Sequence, residues 1–334
     1  MSLVEVPVTV LDAGGKPVRG LRASDFRVLD EGRDVPIEAV DVLEFATGSR
    51  EIPAPSAPSV AAAGARRFML LFDLSFITPA EFGRARQAAG RFVSDSLGPA
   101  DLAAVATVST RGPKIVTGFT TDRAPLRKAI AGLRPLAIFS KTITIGDDDD
   151  ASSRGQYTEE EIDRLQQPGR SHDAGRMETL VRSLAAIGGA LHPIPGRKQI
   201  VYFSEGFDTM TDGTRLLAPF ERILEQLRRD DCVVHTVDVA GVKTASALAA
   251  EGGMANNGAL AEMAASTGGE FLSRSNDFGA QIGRVLDATS VVYVLTFHAG
   301  ASGRPGRYHR LEVKTARTGV RVSARPGYYE PAPL

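Results

Sequence analysis

Short apolar runs and helical segments alternate regularly through the middle of the chain. Phe68–Phe72, Leu102–Val108 and Gln199–Phe203 are short, mostly apolar runs, as expected for strands that are buried on both faces. Apolar residues recur at helical spacing between them, over residues 82–93 and over Met177–Leu191. This alternation predicts an α/β fold with a doubly wound, mostly parallel sheet and helices on both faces.

The two ends of the chain carry strand patterns instead. Each end is too small to bury a core alone, and chain termini usually lie close together. We therefore expect residues 1–45 and 290–334 to pair in one split, immunoglobulin-like β-sandwich. An α/β domain over residues 67–289 would then be inserted into it. The predicted strands are residues 4–10, 26–29 and 37–45 near the start, and 291–297, 308–314 and 320–324 near the end.

Two segments lack both patterns. Residues 46–66 combine three prolines with Ala, Ser and Gly, a composition typical of a linker. Residues 140–175 are polar and include the acidic run Asp147–Asp150. A long stretch of this kind inside a compact domain predicts a solvated, mobile insertion. The run lacks the alternation and the glycine of a calcium-binding loop.

Composition excludes several classes of protein. The net charge of −1 argues against electrostatic capture of nucleic acid by the whole domain. The single cysteine, Cys232, excludes an intramolecular disulfide and a cysteine zinc cluster. No apolar run approaches the roughly 18 residues that a membrane-spanning helix needs, so we predict no transmembrane segment.

Candidate functional residues lie where the predicted strands end, because ligands of open α/β sheets bind beyond the carboxyl ends of the strands. Asp73 and Ser75 follow the first buried strand, Glu205 follows a later one, and Thr179 lies early in the preceding helix. Carboxylate and hydroxyl oxygens suit a hard cation such as Mg²⁺. Thr78 also offers a hydroxyl, but the sequence Thr78–Glu81 has the spacing of a helix-capping box.

These residues resemble the metal-ion-dependent adhesion site of the von Willebrand factor type A family. That site combines Asp-x-Ser-x-Ser, an isolated Thr, and an Asp in a Ser/Thr-Asp-Gly turn. Asp73 and Ser75 match, Thr179 corresponds to the isolated Thr, Ile77 replaces the second Ser, and Glu205 replaces the last Asp. The resemblance implies a Rossmann-like domain with a weak or lost site for Mg²⁺ or another divalent cation. Its ligands would be Asp73, Ser75, Thr179 and Glu205, with Thr78 less favoured.

A broader resemblance is to the VWFA-related proteins abundant in Acidobacteria. It is carried by the first segment, by Thr267–Gly269, and by the closing stretches Gly306–Val313 and Arg325–Tyr329. Members of that group are generally predicted to be exported. The resemblance therefore implies a periplasmic or extracellular protein whose signal segment is absent from this chain. A cytoplasmic location is the alternative if Met1 is the natural start.

We expect a non-enzymatic protein-binding or adhesion module with a protein partner. A general base and nucleophile pair cannot be named from the residues. One alternative is a metal-dependent hydrolase that uses Asp73, Glu205 or the acidic run. The other is a structural component of an envelope assembly, because a fold of this class does not itself decide function.

Overall fold

The structure, a computed structural model, describes residues 3–45, 66–75, 79–109, 111–134, 170–194, 196–207, 217–240, 258–273, 278–299 and 307–329. Its strands are β1 (Leu3–Leu11), β2 (Phe26–Asp30), β3 (Arg33–Val35), β4 (Ala39–Glu44), β5 (Arg67–Asp73), β6 (Leu102–Ser109), β7 (Gly112–Thr120), β8 (Lys198–Ser204), β9 (Cys232–Asp238), β10 (Phe271–Leu272), β11 (Val291–His298), β12 (Tyr308–Thr315), β13 (Arg321–Ala324) and β14 (Gly327–Tyr329). Its α-helices are α1 (Pro79–Arg91), α2 (Arg123–Gly132), α3 (Arg170–Leu191), α4 (Leu217–Arg229), α5 (Gly258–Thr267) and α6 (Phe278–Ala288).

A six-stranded sheet forms the central layer, in the order β10-β9-β8-β5-β6-β7. Neighbouring strands run parallel except β7, which is antiparallel to β6. Helices α1, α2 and α6 pack on one face, and α3, α4 and α5 pack on the other. The predicted mixed α/β fold with a mostly parallel sheet is confirmed.

Strand β5 explains why the central apolar runs are continuous. Phe68, Leu70 and Phe72 belong to the apolar core on one face, while Met69 and Leu71 belong to the core on the other. Side chains alternate between the faces of a strand, so both sets must be apolar when helices cover both faces. Full burial of one such side chain stabilises the fold by about 1.5–3 kcal/mol.

Strands from both ends of the chain pair in two four-stranded sheets. The first has the order β13-β1-β11-β4 and the second has the order β14-β12-β2-β3. Val6 lies opposite Leu295 in the first sheet, and Val28 lies opposite Val313 in the second. One apolar core contains side chains from both sheets. The division of the chain into a split immunoglobulin-like sandwich and an inserted domain stays a prediction.

The structure corrects several predicted boundaries. Strand β4 begins at Ala39 rather than Ile37, and strands β3 and β14 were not predicted. Both unpredicted strands have three residues, too few to show a periodic pattern. Helix α3 begins at Arg170, seven positions before the predicted Met177, because its first turns are polar and carry no apolar periodicity.

The two predicted irregular segments lie mostly outside the described residues. Residues 46–65 and 140–169 are not described, whereas residues 170–175 belong to helix α3. Arg66, assigned to the linker by composition, is buried and pairs with Asp101 at 2.6 Å. The partner lies 35 positions away in the sequence, so local composition gives no sign of this ion pair.

His235 is a buried histidine in β9 that the structure holds in its neutral form. Its Nδ1 accepts a hydrogen bond from the Glu270 backbone N–H at 3.2 Å, and its Nε2 lies 2.9 Å from Gln199 Oε1. Because Nδ1 accepts, the ring proton is on Nε2 and is donated to the amide oxygen. Burial is the main cause that lowers the pKa of His235 from 6.5 to about 3, and the charge of Arg321 lowers it further.

This histidine should make the fold sensitive to acid. The folded state has the lower pKa, so the unfolded chain binds the proton first as the pH falls. The stabilisation is complete above pH 6.5 and is lost as the pH falls towards about 3. Between pH 7 and pH 5, His235 alone should lower the free energy of unfolding by about 2 kcal/mol.

Urea unfolding at both pH values would measure this effect. We expect His235→Gln to show a smaller difference between the two pH values than the wild type. His298→Gln is the matched control, since His298 is exposed at the end of β11. The same pH dependence in the wild type and in His235→Gln would contradict the prediction.

Candidate functional site

The carboxyl edge of the central sheet contains a reversal of strand order. Strand β5 pairs with β6 on one side and with β8 on the other, so the chain winds away from β5 in both directions. Such a reversal leaves a crevice at the carboxyl ends of the strands, where ligands of open α/β sheets bind. Asp73 ends β5, Ser204 ends β8 and Asp238 ends β9. The structure therefore places Asp73 at the reversal.

The Asp73 carboxylate is buried and accepts hydrogen bonds on both oxygens. Oδ1 accepts from the Ser75 backbone N–H at 2.8 Å. Oδ2 accepts from the Tyr202 hydroxyl at 2.7 Å and from the Ser204 hydroxyl at 2.9 Å. The Ser204 Oγ in turn accepts from the Gly206 backbone N–H at 3.1 Å. We call Asp73, Ser75, Tyr202 and Ser204 the Asp73 cluster.

Strand geometry assembles this cluster. Tyr202 and Ser204 are two positions apart on β8, so both side chains leave the same face of the sheet. The register places Phe72 of β5 beside Phe203 of β8. The hydroxyls of Tyr202 and Ser204 therefore lie next to Asp73, the residue that follows Phe72. Burial is the main cause that raises the pKa of Tyr202, and the nearby Asp73 charge raises it further. The phenol therefore stays a proton donor.

The predicted site residues are only partly brought together. Asp73 and Ser75 lie in one cluster, and Ser75 contributes its backbone N–H. Glu205 directly follows Ser204 and is half-buried. Thr179 is half-buried in α3, where its carbonyl oxygen accepts from the Ser183 hydroxyl at 2.7 Å. Thr78 lies outside the described residues.

The donor set around Asp73 fits a divalent cation poorly. A carboxylate offers about four lone-pair positions, and three donors from the chain already occupy positions on Asp73. Magnesium requires near-octahedral oxygen coordination, so an ion here would compete with the Tyr202 and Ser204 hydroxyl protons. Binding of Mg²⁺ or another divalent ion by Asp73, Ser75, Thr179 and Glu205 stays a prediction.

A groove of about 510 Å³ lies beside the Asp73 cluster, between the end of β6, strand β7 and helix α2. Leu74, which connects Asp73 to Ser75, is one of its lining residues. Lys114 from β7, Lys128 from α2 and Arg134 after α2 are exposed cations along it. We call it the basic groove. The other lining residues that the structure describes are Thr107, Val116, Thr117, Pro125, Ala129, Gly132 and Leu133, so this described lining contains three cations and no carboxylate.

Sequence reasoning identified neither Tyr202 nor the basic groove. Tyr202 lies inside an apolar strand, where an aromatic residue reads as core, and only the strand register reveals its contact with Asp73. Lys114, Lys128 and Arg134 come from three different local structures. The two-residue spacing of Tyr202 and Ser204 was the one local signal that could have linked them.

No protein-family model matches the chain, and no curated protein matches it. Among solved structures, the chain is similar to the crystal structure of the SpRpn10 VWA domain, with a TM-score of 0.32 and 11% sequence identity. That match covers 65% of this chain and 94% of the other. The α/β assignment rests on the strand order of the chain itself, and the von Willebrand factor type A resemblance stays a prediction.

No helix within the described ranges is both long and apolar enough to cross a membrane. Export, as opposed to a cytoplasmic location, stays a prediction.

Proposed function

We propose that the chain is a non-enzymatic protein-binding module that holds an acidic segment of a protein partner in the basic groove. The observation that supports this proposal is the composition of the groove. Among the residues that the structure describes, its lining combines three cations with apolar side chains and includes no carboxylate. A groove of about 510 Å³ is within the range of about 300–1,000 Å³ that is usual for binding pockets.

Charge and apolar surface would have different roles in this groove. Lys114, Lys128 and Arg134 are exposed, and exposed charges contribute mainly to the rate and selectivity of association. Val116, Ala129 and Leu133 line the same groove and would bury apolar side chains of the partner, which supplies most of the affinity. The favoured ligand is therefore a segment in which acidic and apolar residues are interleaved.

The Asp73 cluster would support this surface without a divalent ion. Leu74 connects Asp73 to Ser75, and its backbone N–H donates to the Val108 carbonyl at 2.8 Å. Fixing Asp73 therefore fixes one wall of the basic groove. We propose that partner binding is independent of divalent cations, because the Asp73 oxygens already accept hydrogen bonds from the chain.

Fluorescence anisotropy with a labelled synthetic peptide of alternating Glu and Leu residues would test the proposal. We expect Lys114→Glu/Lys128→Glu to bind this peptide at least about tenfold more weakly than the wild type, which corresponds to about 1.4 kcal/mol. Binding to the wild type should weaken as salt rises and should not change with EDTA.

The control is Lys16→Glu/Arg91→Glu, which changes the net charge equally at exposed positions outside the groove lining. It should bind like the wild type, and circular dichroism would verify that both variants are folded. Equal loss of binding in both variants would contradict the proposed groove. Equally strong binding of a Lys-Leu peptide would contradict the proposed partner charge, and loss of binding in EDTA would contradict independence from metal.

A further inference from the structure

Three potential metal ligands converge in the sheet formed by β2, β3, β12 and β14, apart from the Asp73 cluster. Asp30 ends β2, Glu31 begins the turn that follows, and His309 lies in β12. One ligand atom from each lies within 4.8 Å of the other two. Asp30 and His309 are buried and Glu31 is exposed, so the group is closed on one side and open to solvent on the other.

Neighbouring groups hold these ligands in place. The Tyr328 hydroxyl donates to Asp30 Oδ2 at 2.8 Å, and the Tyr328 ring stacks on the His309 ring with centroids 4.9 Å apart. The Arg310 backbone N–H donates to Glu31 Oε1 at 2.9 Å. Outer contacts of this kind orient ligands in metal sites.

The backbone around Glu31 is also constrained. Its N–H donates to the Arg310 carbonyl at 2.9 Å, and its φ of 51° lies in the left-handed region. A residue other than glycine adopts this region at an energetic cost, and such positions concentrate at functional sites. The tight turn directs the chain so that Glu31 lies beside both Asp30 and His309.

The ligand types and their spacing indicate a transition metal. One imidazole and two carboxylates form a donor set typical of Zn²⁺, whereas Mg²⁺ and Ca²⁺ prefer oxygen ligands alone. His309 Nδ1 lies 3.2 Å from Asp30 Oδ1. Two atoms that each lie about 2.0–2.1 Å from one tetrahedral Zn²⁺ ion would be separated by about 3.3 Å.

We propose that Asp30, Glu31 and His309 form a binding site for a divalent transition metal of the zinc class, with a fourth position open to solvent beside Glu31. The ion would connect the end of β2 and the β2–β3 turn to β12. Asp30 and His309, which would both bind it, are 279 positions apart in the sequence. An ion that binds only the folded chain raises its stability. This site is separate from the basic groove and does not depend on the proposed function.

Titration of the full chain with Zn²⁺ and with Co²⁺ would test this site. We expect one Zn²⁺ ion per chain by calorimetry, a higher melting temperature, and Co²⁺ absorption bands typical of four-coordinate geometry. Glu31→Gln should weaken binding by about tenfold or more. This variant retains an oxygen that can accept from Arg310, and its exposed position should leave folding intact. His309→Gln should abolish the Co²⁺ bands.

Two controls separate this site from other carboxylates. Glu312→Gln changes an exposed residue on the same strand, and Asp73→Asn changes the central sheet. Both should bind Zn²⁺ like the wild type. Absence of Zn²⁺ binding by the wild type would overturn the proposal, as would unchanged binding in Glu31→Gln. Loss of binding only in Asp73→Asn would assign the ion to the central sheet instead.

Discussion

Replacement of Asp101 by Ala is expected to lower the free energy of unfolding by about 3–5 kcal/mol, because it leaves the charge of Arg66 buried without its partner. Both side chains of this ion pair are only 2% exposed. Arg66 Nε donates to Asp101 Oδ1 at 2.8 Å, and Nη2 donates to Oδ2 at 2.6 Å. This bidentate geometry is the strongest arrangement for an arginine and a carboxylate.

The surroundings of the pair explain why a single change should be so costly. Asp101 Oδ2 also accepts from the Gly98 backbone N–H at 2.7 Å, and Arg66 Nη1 donates to the Leu286 carbonyl at 3.3 Å. The guanidinium lies 4.7 Å from the Phe45 ring centroid and 5.6 Å from that of Phe68. Arg66 directly precedes β5 and Asp101 directly precedes β6. The ion pair therefore connects the starts of these two strands with Leu286 of α6 and with Phe45, which follows β4.

Equilibrium unfolding in urea would compare Asp101→Ala with the double variant Arg66→Met/Asp101→Leu. Replacing both charges with apolar side chains leaves no buried charge unpaired and is often nearly neutral. We expect the double variant to be more stable than Asp101→Ala by at least about 2 kcal/mol. A double variant as unstable as the single one would contradict this account of the pair.

Replacement of Asp73 by Ala is expected to cost about 3 kcal/mol, the second large effect. The change leaves the buried hydroxyls of Tyr202 and Ser204 without the acceptor that they share. Each hydrogen bond to a charged group contributes about 1.5–3 kcal/mol, and an unsatisfied buried donor costs about 1–3 kcal/mol. The carboxylate is fully buried, so water cannot replace it without a rearrangement of the strand ends.

A double-mutant cycle with Tyr202→Phe would separate the shared hydrogen bond from other effects. In the Tyr202→Phe background, Asp73→Ala should cost less by at least about 1 kcal/mol, because the phenol donor is already absent. Melting temperatures with and without Mg²⁺ would address the predicted metal site. Equal melting temperatures with and without Mg²⁺ would agree with a carboxylate that only accepts hydrogen bonds. A higher melting temperature in Mg²⁺ for the wild type but not for Asp73→Ala would identify Asp73 as a ligand.

The central sheet could be predicted from the sequence because its signals are local. A strand covered on both faces must be apolar at every position, so Phe68–Phe72 reads as buried without knowledge of its neighbours. Asp73 and Ser75 were identified for a similar reason, since they directly follow that strand. The general rule on strand ends then predicted a site at the carboxyl edge of the sheet, where the structure places Asp73.

The features that sequence reasoning missed depend on contacts between distant positions. The residues around Arg66 have the composition of a linker, but Arg66 itself forms a buried ion pair with Asp101. The apolar strand around Tyr202 predicts a core side chain, and only the pairing of β5 with β8 reveals its hydrogen bond to Asp73. The approach of His309 to Asp30 joins two ends of the chain through strand pairing, which no local pattern encodes.

Hydrogen–deuterium exchange with and without the Glu-Leu peptide would test the proposed role of the basic groove, because it locates the bound segment without a mutation. We predict slower exchange in β7 and α2, over residues 112–134, with a smaller effect in the Lys114→Glu/Lys128→Glu variant. Protection confined to other parts of the chain, or no protection at saturating peptide, would contradict the proposed binding surface.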